Sequence, residues 1–272
     1  MSLLPASVMK AETGSSLPTS FSKRTISVDP FIRRLEQAVK ISDMQREAIH
    51  SLAINRLDIA GHQDFVGQTS DAGFLVVSGL ACRYATLPDG TRRIASFILP
   101  GDLVRSSAPL RSGMPWRIRA LSACSVVEIL HSDLHALCRS TAAVGLGLRR
   151  IVQDDLDRTR AWLLNDSRPA PKRIAYLLCE LHARLDVVGF AGQNECELSL
   201  SQADVADAAA VSHNHANRIL QALFSERFLS LCRQKLIITD VRRLREFACF
   251  DPFTAICENR RDEDEHLFES PR

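Results

Sequence analysis

The chain has 272 residues, with 34 Lys and Arg against 32 Asp and Glu and a formal net charge of +2. That length suits two domains of roughly 100–150 residues each, and the charge excludes a polycation that coats nucleic acid by charge alone as well as an acidic disordered chain. Hydrophobic residues make up 46%, enough for a core, yet no window reaches the ~18 consecutive apolar residues of a membrane helix, so no membrane is expected among the partners.

Residues 1–28 read as a disordered leader: the stretch from Met1 to Lys23 is rich in Ser, Thr and Pro and lacks the apolar run of a secretory signal. Asp29-Pro30 then reads as an N-cap followed by proline at the first helical position, with Phe31, Leu35 and Val39 on one face. Ser42, with Gln45 three residues on, starts a second short helix whose apolar stripe is Met44, Ala48, Ile49 and Leu52.

From Arg56 to Ile129 short runs of Val, Ile, Leu and Phe are punctuated by Gly61, Gly67, Gly73, Gly79, Gly90, Gly101 and Gly113. Such spacing suits the strand-and-turn units of an all-β roll. Pro88-Asp89-Gly90 and Pro100-Gly101-Asp102 are turn sequences, because proline presets φ and glycine accepts a positive one. Residues 29–139 are therefore expected to form a β-roll domain.

Helix resumes at Ser132 and runs to about Leu164, with residues 140–166 expected as a dimerisation helix. Val144, Leu148, Ile151, Asp155, Arg158 and Trp162 recur in steps of four and three, and Val152, Leu156 and Leu163 broaden the stripe. That is heptad spacing, and it reads as the seam of a parallel homodimer, with a long core-facing helix as the alternative. Gly145 and Gly147 each cost about 1 kcal/mol inside a helix and point to a break, with the helix proper starting near Leu148. His131, His135 and Cys138 share one helix face, but no fourth metal ligand is visible and they read as ordinary surface residues.

Ser167 to Pro171 carries two prolines and marks a boundary. Ile174, Leu177, Leu178, Leu181 and Leu185 build a further helix, and Val188 to Glu195 reads as a loop. The stretch Leu198–Leu223, LSLSQADVADAAAVSHNHANRILQAL, is the most informative in the chain. Ser201 caps a short helix with Asp204 in capping-box spacing, a turn follows at Ala209–Val211, and Ser212 caps a second helix. That helix turns Ala216, Ile219, Leu220 and Leu223 inward and His213, Asn214, Asn217, Arg218 and Gln221 outward.

Two short helices with a polar outer face on the second make a helix-turn-helix, whose second helix reads base edges in the major groove. Arg218 suits guanine, and Asn214, Asn217 or Gln221 suit adenine. Phe228–Leu231 and Leu236–Thr239 read as a hairpin tipped by Arg233 and Lys235, a wing placed to touch phosphates. Asp240 caps a last helix carrying Leu244 and Phe247. Residues 167–250 are thus a winged helix-turn-helix domain, and 251–272, with three basic and seven acidic residues, an acidic solvated tail.

The eight cysteines include no C-x-x-C pair. They read as buried structural thiols of a reducing, cytoplasmic compartment, with no cofactor expected. A rival enzyme reading, a metal site in the roll, is opposed by the single His (His62) and single Glu (Glu128) between Arg56 and Ile129.

The order β-roll, long helix, winged helix-turn-helix resembles the Crp/Fnr family of bacterial transcription regulators over roughly Phe31 to Phe253. VVSGLACRYATLPDGTRRIASFILPGDLV (Val76–Val104) is similar to the family's sensor roll, and RIAYLLCELHARLDVVGF (Arg173–Phe190) to the helix leading into its reader in the branch common among alphaproteobacteria. SHNHANRILQAL is similar to that branch's recognition helix, with His215, Asn217 and Arg218 at its characteristic positions. The resemblance implies an α+β protein with a cyclic-nucleotide-binding-like jelly roll. It also implies a homodimer on double-stranded DNA and, for an activator, contact with RNA polymerase.

It further implies DNA contacts from Ser201, Gln202, Ser212, His213, Asn214, His215, Asn217, Arg218, Gln221, Arg233 and Lys235. Dimer contacts would come from Val144, Leu148, Ile151, Val152, Asp155, Leu156 and Trp162, and an effector pocket from Gly101, Asp102, Arg105 and Arg117. Two departures limit it. Val104–Met114 lacks the glutamate, and Met114 stands about where the arginine should be, so cyclic AMP is not expected; residues 1–81 lack the cysteines of the family's iron–sulfur branch. Ala210 stands where glycine is usual in the turn. The alternative from another class is a partner-binding adaptor that keeps the roll and no longer binds DNA.

Overall fold

The computed structural model describes residues 27–53, 55–65, 72–105, 116–192, 196–232 and 235–251, apart from the side chains of Arg105, Glu197, Cys232 and Lys235. The expectations for the leader before residue 27, for Met114 and Arg233, and for the tail after Asp251 lie outside the described residues.

Helices α1 (Asp29–Glu36) and α2 (Asp43–His50) open the described chain. Asp29 falls inside the first turn of α1, with Val28 at the cap position and no side-chain cap there. Ser42 and Gln45 do form the reciprocal capping box expected of them.

Seven strands follow: β1 (Asn55–Ile59), β2 (Ala72–Ser78), β3 (Ala81–Thr86), β4 (Arg92–Ile98), β5 (Leu103–Arg105), β6 (Arg117–Ala120) and β7 (Cys124–Leu130). They build two antiparallel sheets, ordered β1-β7-β2-β5 and β4-β3-β6. Phe65, Phe74, Val76, Ile98, Val104, Ile118 and Val126 fill the space between them.

Both sheets are also covered outside. Leu75, Val127 and Ile129 of the first pack on Phe31, Ile32 and Leu35 of α1. Cys82, Tyr84, Ile94 and Phe97 of the second join the core of the C-terminal domain. Burial on two faces explains why β2, β3 and β7 read as near-continuous apolar runs rather than as alternating ones. At Gly101, with φ +89°, an added Cβ would stand 2.7 Å from the Pro30 carbonyl oxygen, so the turn after β4 seats against α1 only with glycine there.

The helical stretch that follows breaks earlier than the glycines suggest. Helix α3 (His131–Ser140) ends at Thr141, which is extended (φ −136°, ψ 97°), and α4 (Ala142–Asn165) carries Gly145 and Gly147 in its first turns. The glycines serve close packing instead: a Cβ at Gly147 would lie 2.8 Å from Leu35 Cδ2, where α1 crosses α4.

The residues expected at the dimer seam divide between two faces of α4. Val144 and Ile151 are buried within the protomer against α1 and the roll, and Leu148 packs half-buried beside them. Asp155 pairs with Arg34 and Arg158. Trp162 packs on Phe97 and donates from Nε1 to Glu180. Val152 (66% exposed), Leu156 (45%) and Leu163 (70%) stand on the outer face.

Helix α5 (Ala170–Val187) leads into β8 (Cys196–Leu198), α6 (Gln202–Ala209), α7 (His213–Ser225), β9 (Leu229–Cys232), β10 (Lys235–Ile238) and α8 (Val241–Ala248). The hairpin β9–β10 gains β8 as a third antiparallel strand, in the order β8-β10-β9. No helix among the described residues is long and apolar enough to cross a membrane.

Candidate nucleic-acid interface and roll cavity

Helices α6 and α7 are fixed by their caps. Ser201 Oγ accepts from Asp204 N at 3.1 Å while Asp204 Oδ2 accepts from Ser201 N at 3.1 Å, which satisfies two donors that a helix start leaves open. Ala210 ends α6 in the left-handed region (φ 53°, ψ 48°), the conformation that usually asks for glycine. Ser212 then caps α7 by accepting from His215 N at 3.3 Å.

From that start, Ala216, Ile219, Leu220 and Leu223 turn inward and are buried. His213, Asn214, Asn217, Arg218 and Gln221 are exposed on the outer face, and His215 is half-buried. Arg218 Nη2 donates to His215 Nδ1 at 3.3 Å, and His213 Nε2 lies 3.3 Å from Asp207 Oδ1. Ser201 and Gln202 are exposed at the start of α6. The wing's register, Leu236 opposite Leu231 and Lys235 opposite Cys232, puts Lys235 at the tip, beside residues 233 and 234 outside the described part.

Among the residues expected to form an effector pocket, the described side chains of Asp102 and Arg117 take separate partners. Asp102 is buried at the foot of the Gly101 turn, accepting from Leu99 N at 2.9 Å and ion-paired with Arg34 of α1 and Arg184 of α5. Burial alone would raise its pKa, but Arg184, Arg34 and Arg158 outweigh it and bring the carboxyl to about 2. Asp102 is therefore held as an anion that joins three elements, and it also lines the cavity at their joint. Arg117 lies on β6, 64% exposed, with its Nε 3.6 Å from Asp64. The side chain of Arg105 is outside the described part.

One cavity lies where the roll meets the helices. Arg83 and Ser96 wall one side, Arg158, Thr159 and Trp162 of α4 another, and Glu180 and Arg184 of α5 a third. Burial and the neighbouring Arg184 and Arg34 push the Arg158 guanidinium down to about 9. Arg34, Glu180 and Arg184 escaped the sequence reading, which placed Arg158 only on the stripe of the long helix. The visible signal was a run of charged residues in α5, Glu180, His182 and Arg184, set in a segment otherwise apolar and all buried.

Residues 65–141 match the model of the cyclic nucleotide-binding domain, and residues 172–247 match that of the Crp-like helix-turn-helix domain. The two matches cover more than half the chain, in the order found in the fold. The chain belongs to the Crp/Fnr family. Within that family it is 27% identical over 187 residues to the transcriptional activator protein FnrL of Cereibacter sphaeroides, covering 67% of this chain and 75% of that protein. It is 27% identical over 182 residues to the nitrogen fixation regulation protein FixK of Azorhizobium caulinodans, covering 65% and 72%. The structure of FixK2 from Bradyrhizobium japonicum superposes with a TM-score of 0.58 at 23% identity over 71% of this chain and 96% of that one. A CooA mutant from Carboxydothermus hydrogenoformans gives 0.53 at 17% over 71% and 87%. These structural matches carry the fold: a cyclic-nucleotide-type roll joined to a Crp-type reader in an α+β chain.

Proposed function

We propose that this Crp/Fnr protein is a homodimeric, sequence-specific regulator that reads a near-palindromic operator through the major groove. The observation that carries the reading is the outer face of α7, where His213, Asn214, Asn217, Arg218 and Gln221 stand exposed above a buried apolar face. Arg218 offers the forked donors that match guanine, and the neighbouring amides match adenine. Ser201, Gln202 and Ser212 at the helix starts, with Arg233 and Lys235 of the wing, are assigned to phosphates, which fix register rather than sequence.

Pairing of two protomers is assigned to the outer face of α4, through Val152, Leu156 and Leu163. They stand at steps of four and seven residues, compatible with a heptad seam. Two-fold pairing sets the half-sites about 34 Å apart, one helical turn, or a multiple of it. A signal would act in the cavity shared by Arg83, Arg158 and Arg184, since its walls belong to both the roll and the helices that carry the reader. The segment 104–114 holds no carboxylate for a ribose, so the signal is not assigned to a cyclic nucleotide. If the protein activates, as the name of FnrL states for that relative, RNA polymerase is a further partner.

The test is Arg218→Ala in a binding assay against the preferred duplex and single-base variants of it. The expected cost is roughly 1–3 kcal/mol, with preference relaxed at one base pair. An equal loss on every sequence would reduce Arg218 to a phosphate contact.

A further inference from the structure

Arg92 opens β4, directly after the hairpin tip at Pro88–Thr91, and pairs across the ladder with Thr86. The tip is tied by Leu87 N donating to Thr91 O at 2.8 Å and by Thr91 N donating to Asp89 Oδ1 at 2.9 Å. The guanidinium therefore stands on a braced strand end. Its two arms reach out of the roll into the reader: Nη2 donates to Asp204 Oδ1 at 2.5 Å and Nε to Asp207 Oδ2 at 2.6 Å. Asp204 and Asp207 are three residues apart on one face of α6, with side chains only 5% and 12% exposed. A single planar cation thus bridges two nearly buried carboxylates of the first reading helix.

Each carboxylate has a second oxygen at work. Asp204 Oδ2 closes the capping box with Ser201, accepting from Ser201 Oγ at 2.6 Å. Asp207 Oδ1 faces His213 Nε2 at 3.3 Å, at the first residue of α7. A continuous polar path runs from a strand of the roll, through α6, to the start of the helix whose outer face carries Asn214, Asn217 and Arg218.

The contact lies beside a shared apolar core, in which Cys82, Tyr84, Ile94 and Phe97 of the roll pack with Val205, Ala209 and Leu220 of the reader. Apolar burial holds two surfaces together without fixing their rotation, since it is non-directional. A forked, charge-assisted hydrogen-bond pair is directional. We propose that Arg92, a residue of the sensor roll, is a positioning residue for DNA reading: by clamping Asp204 and Asp207 it sets the orientation of α6 and α7. Burial draws the Arg92 guanidinium down, but its hydrogen bonds with Asp207 and Asp204 prevail and hold it above its ordinary value, so the clamp stays charged across the physiological range.

The proposal rests on α7 reading DNA, and the test separates the two. Wild-type protein is first measured on its selected operator and on random duplex; absence of any preference there refutes DNA reading itself. Arg92→Gln, Arg92→Lys, Asp207→Asn and the double variant Arg92→Gln/Asp207→Asn are then compared on both duplexes. Asp204 is left intact because it is also a cap.

Long-range charge alone predicts opposite signs, since losing a cation weakens DNA binding and losing an anion tightens it. A positioning clamp predicts one sign. Arg92→Gln and Asp207→Asn should each weaken operator binding by about tenfold while random-duplex binding changes far less. The double variant should be no weaker than the worse single one, because both remove one interaction, and Arg92→Lys should recover part of the loss. The proposal is overturned by Arg92→Gln at wild-type Kd on the operator, by Asp207→Asn tightening operator and random duplex alike, or by losses that multiply in the double variant. If Arg92→Gln does not fold, the sign of the Asp207→Asn effect on operator against random duplex decides alone.

Discussion

Ala210, like Arg227 and Cys249, is a residue of the reader whose backbone takes a positive φ that its side chain disfavours. It is exposed and holds φ 53°, ψ 48°, so its methyl gains no packing to offset the left-handed strain. Replacing it with glycine relieves that strain but adds flexibility to the unfolded chain, and the two partly cancel. Ala210→Gly should raise unfolding free energy by about 0.5–1 kcal/mol in a denaturant titration.

Asp102 presents the opposite case, a residue held in place by everything around it. Asp102→Asn leaves Arg184 and Arg34 short of a counter-charge in a buried site and should cost roughly 3–5 kcal/mol. Its folded pKa of about 2 lies below the ordinary value of 3.8. The stabilisation it gives is therefore complete above about pH 4 and lost as pH falls towards 2, an effect of about 2 kcal/mol. Acid titration of stability should show this loss in the wild type and not in Asp102→Asn.

The two residues also mark what a sequence displays at this scale. Ser42 with Gln45, Ser201 with Asp204, and Ser212 and Asp240 were legible because a cap is a signal three residues long. The partners of Asp102, Arg34 and Arg184, were not legible because they lie 68 and 82 residues away.

At the scale of elements, α4 shows what a heptad stripe leaves open. It is apolar on two sides, the inner with Val144, Leu148 and Ile151 at steps of four and three, the outer with Val152, Leu156 and Leu163 at steps of four and seven. Which side faces inward is decided by α1, whose Leu35 closes on Gly147, and no local pattern encodes that crossing. Ile151 consequently belongs to the protomer core and Leu156 to the exposed face. The two positions should respond differently to the same substitution. Leu156→Glu should leave the fold intact and weaken dimerisation by roughly 100-fold, seen by sedimentation, because each partner must then bury a carboxylate. Ile151→Glu should instead lower the unfolding free energy of the chain. Strand β8 was missed for a simpler reason: three residues, Cys196–Leu198, give a period-two pattern no room to show.

The whole molecule was legible as an order of parts, because the change from strand texture to helical spacing and then to paired caps survives any error at the boundaries. The joint between those parts was not. One core runs from the outer face of the β4-β3-β6 sheet through α5 into α6, α7 and α8, and Arg92 and Asp102 bind roll to helices across more than 80 residues of sequence. A shared apolar interface of this kind opposes independent domain motion. It implies that a signal at the roll would reach the reader by shifting a packed joint rather than by releasing a tether.

The small net charge of +2 gives little long-range attraction to DNA, so the account depends on a few placed contacts and on two-fold pairing. The measurement that bears on it most directly is selection from a randomised duplex pool with the purified full-length chain. The account predicts enrichment of a near-palindrome whose half-sites are centred about 34 Å apart or a multiple of that, with the Arg218→Ala protein losing preference at one position of each half-site. A pool that emerges as random as it entered, from protein shown to be folded and dimeric, would contradict it.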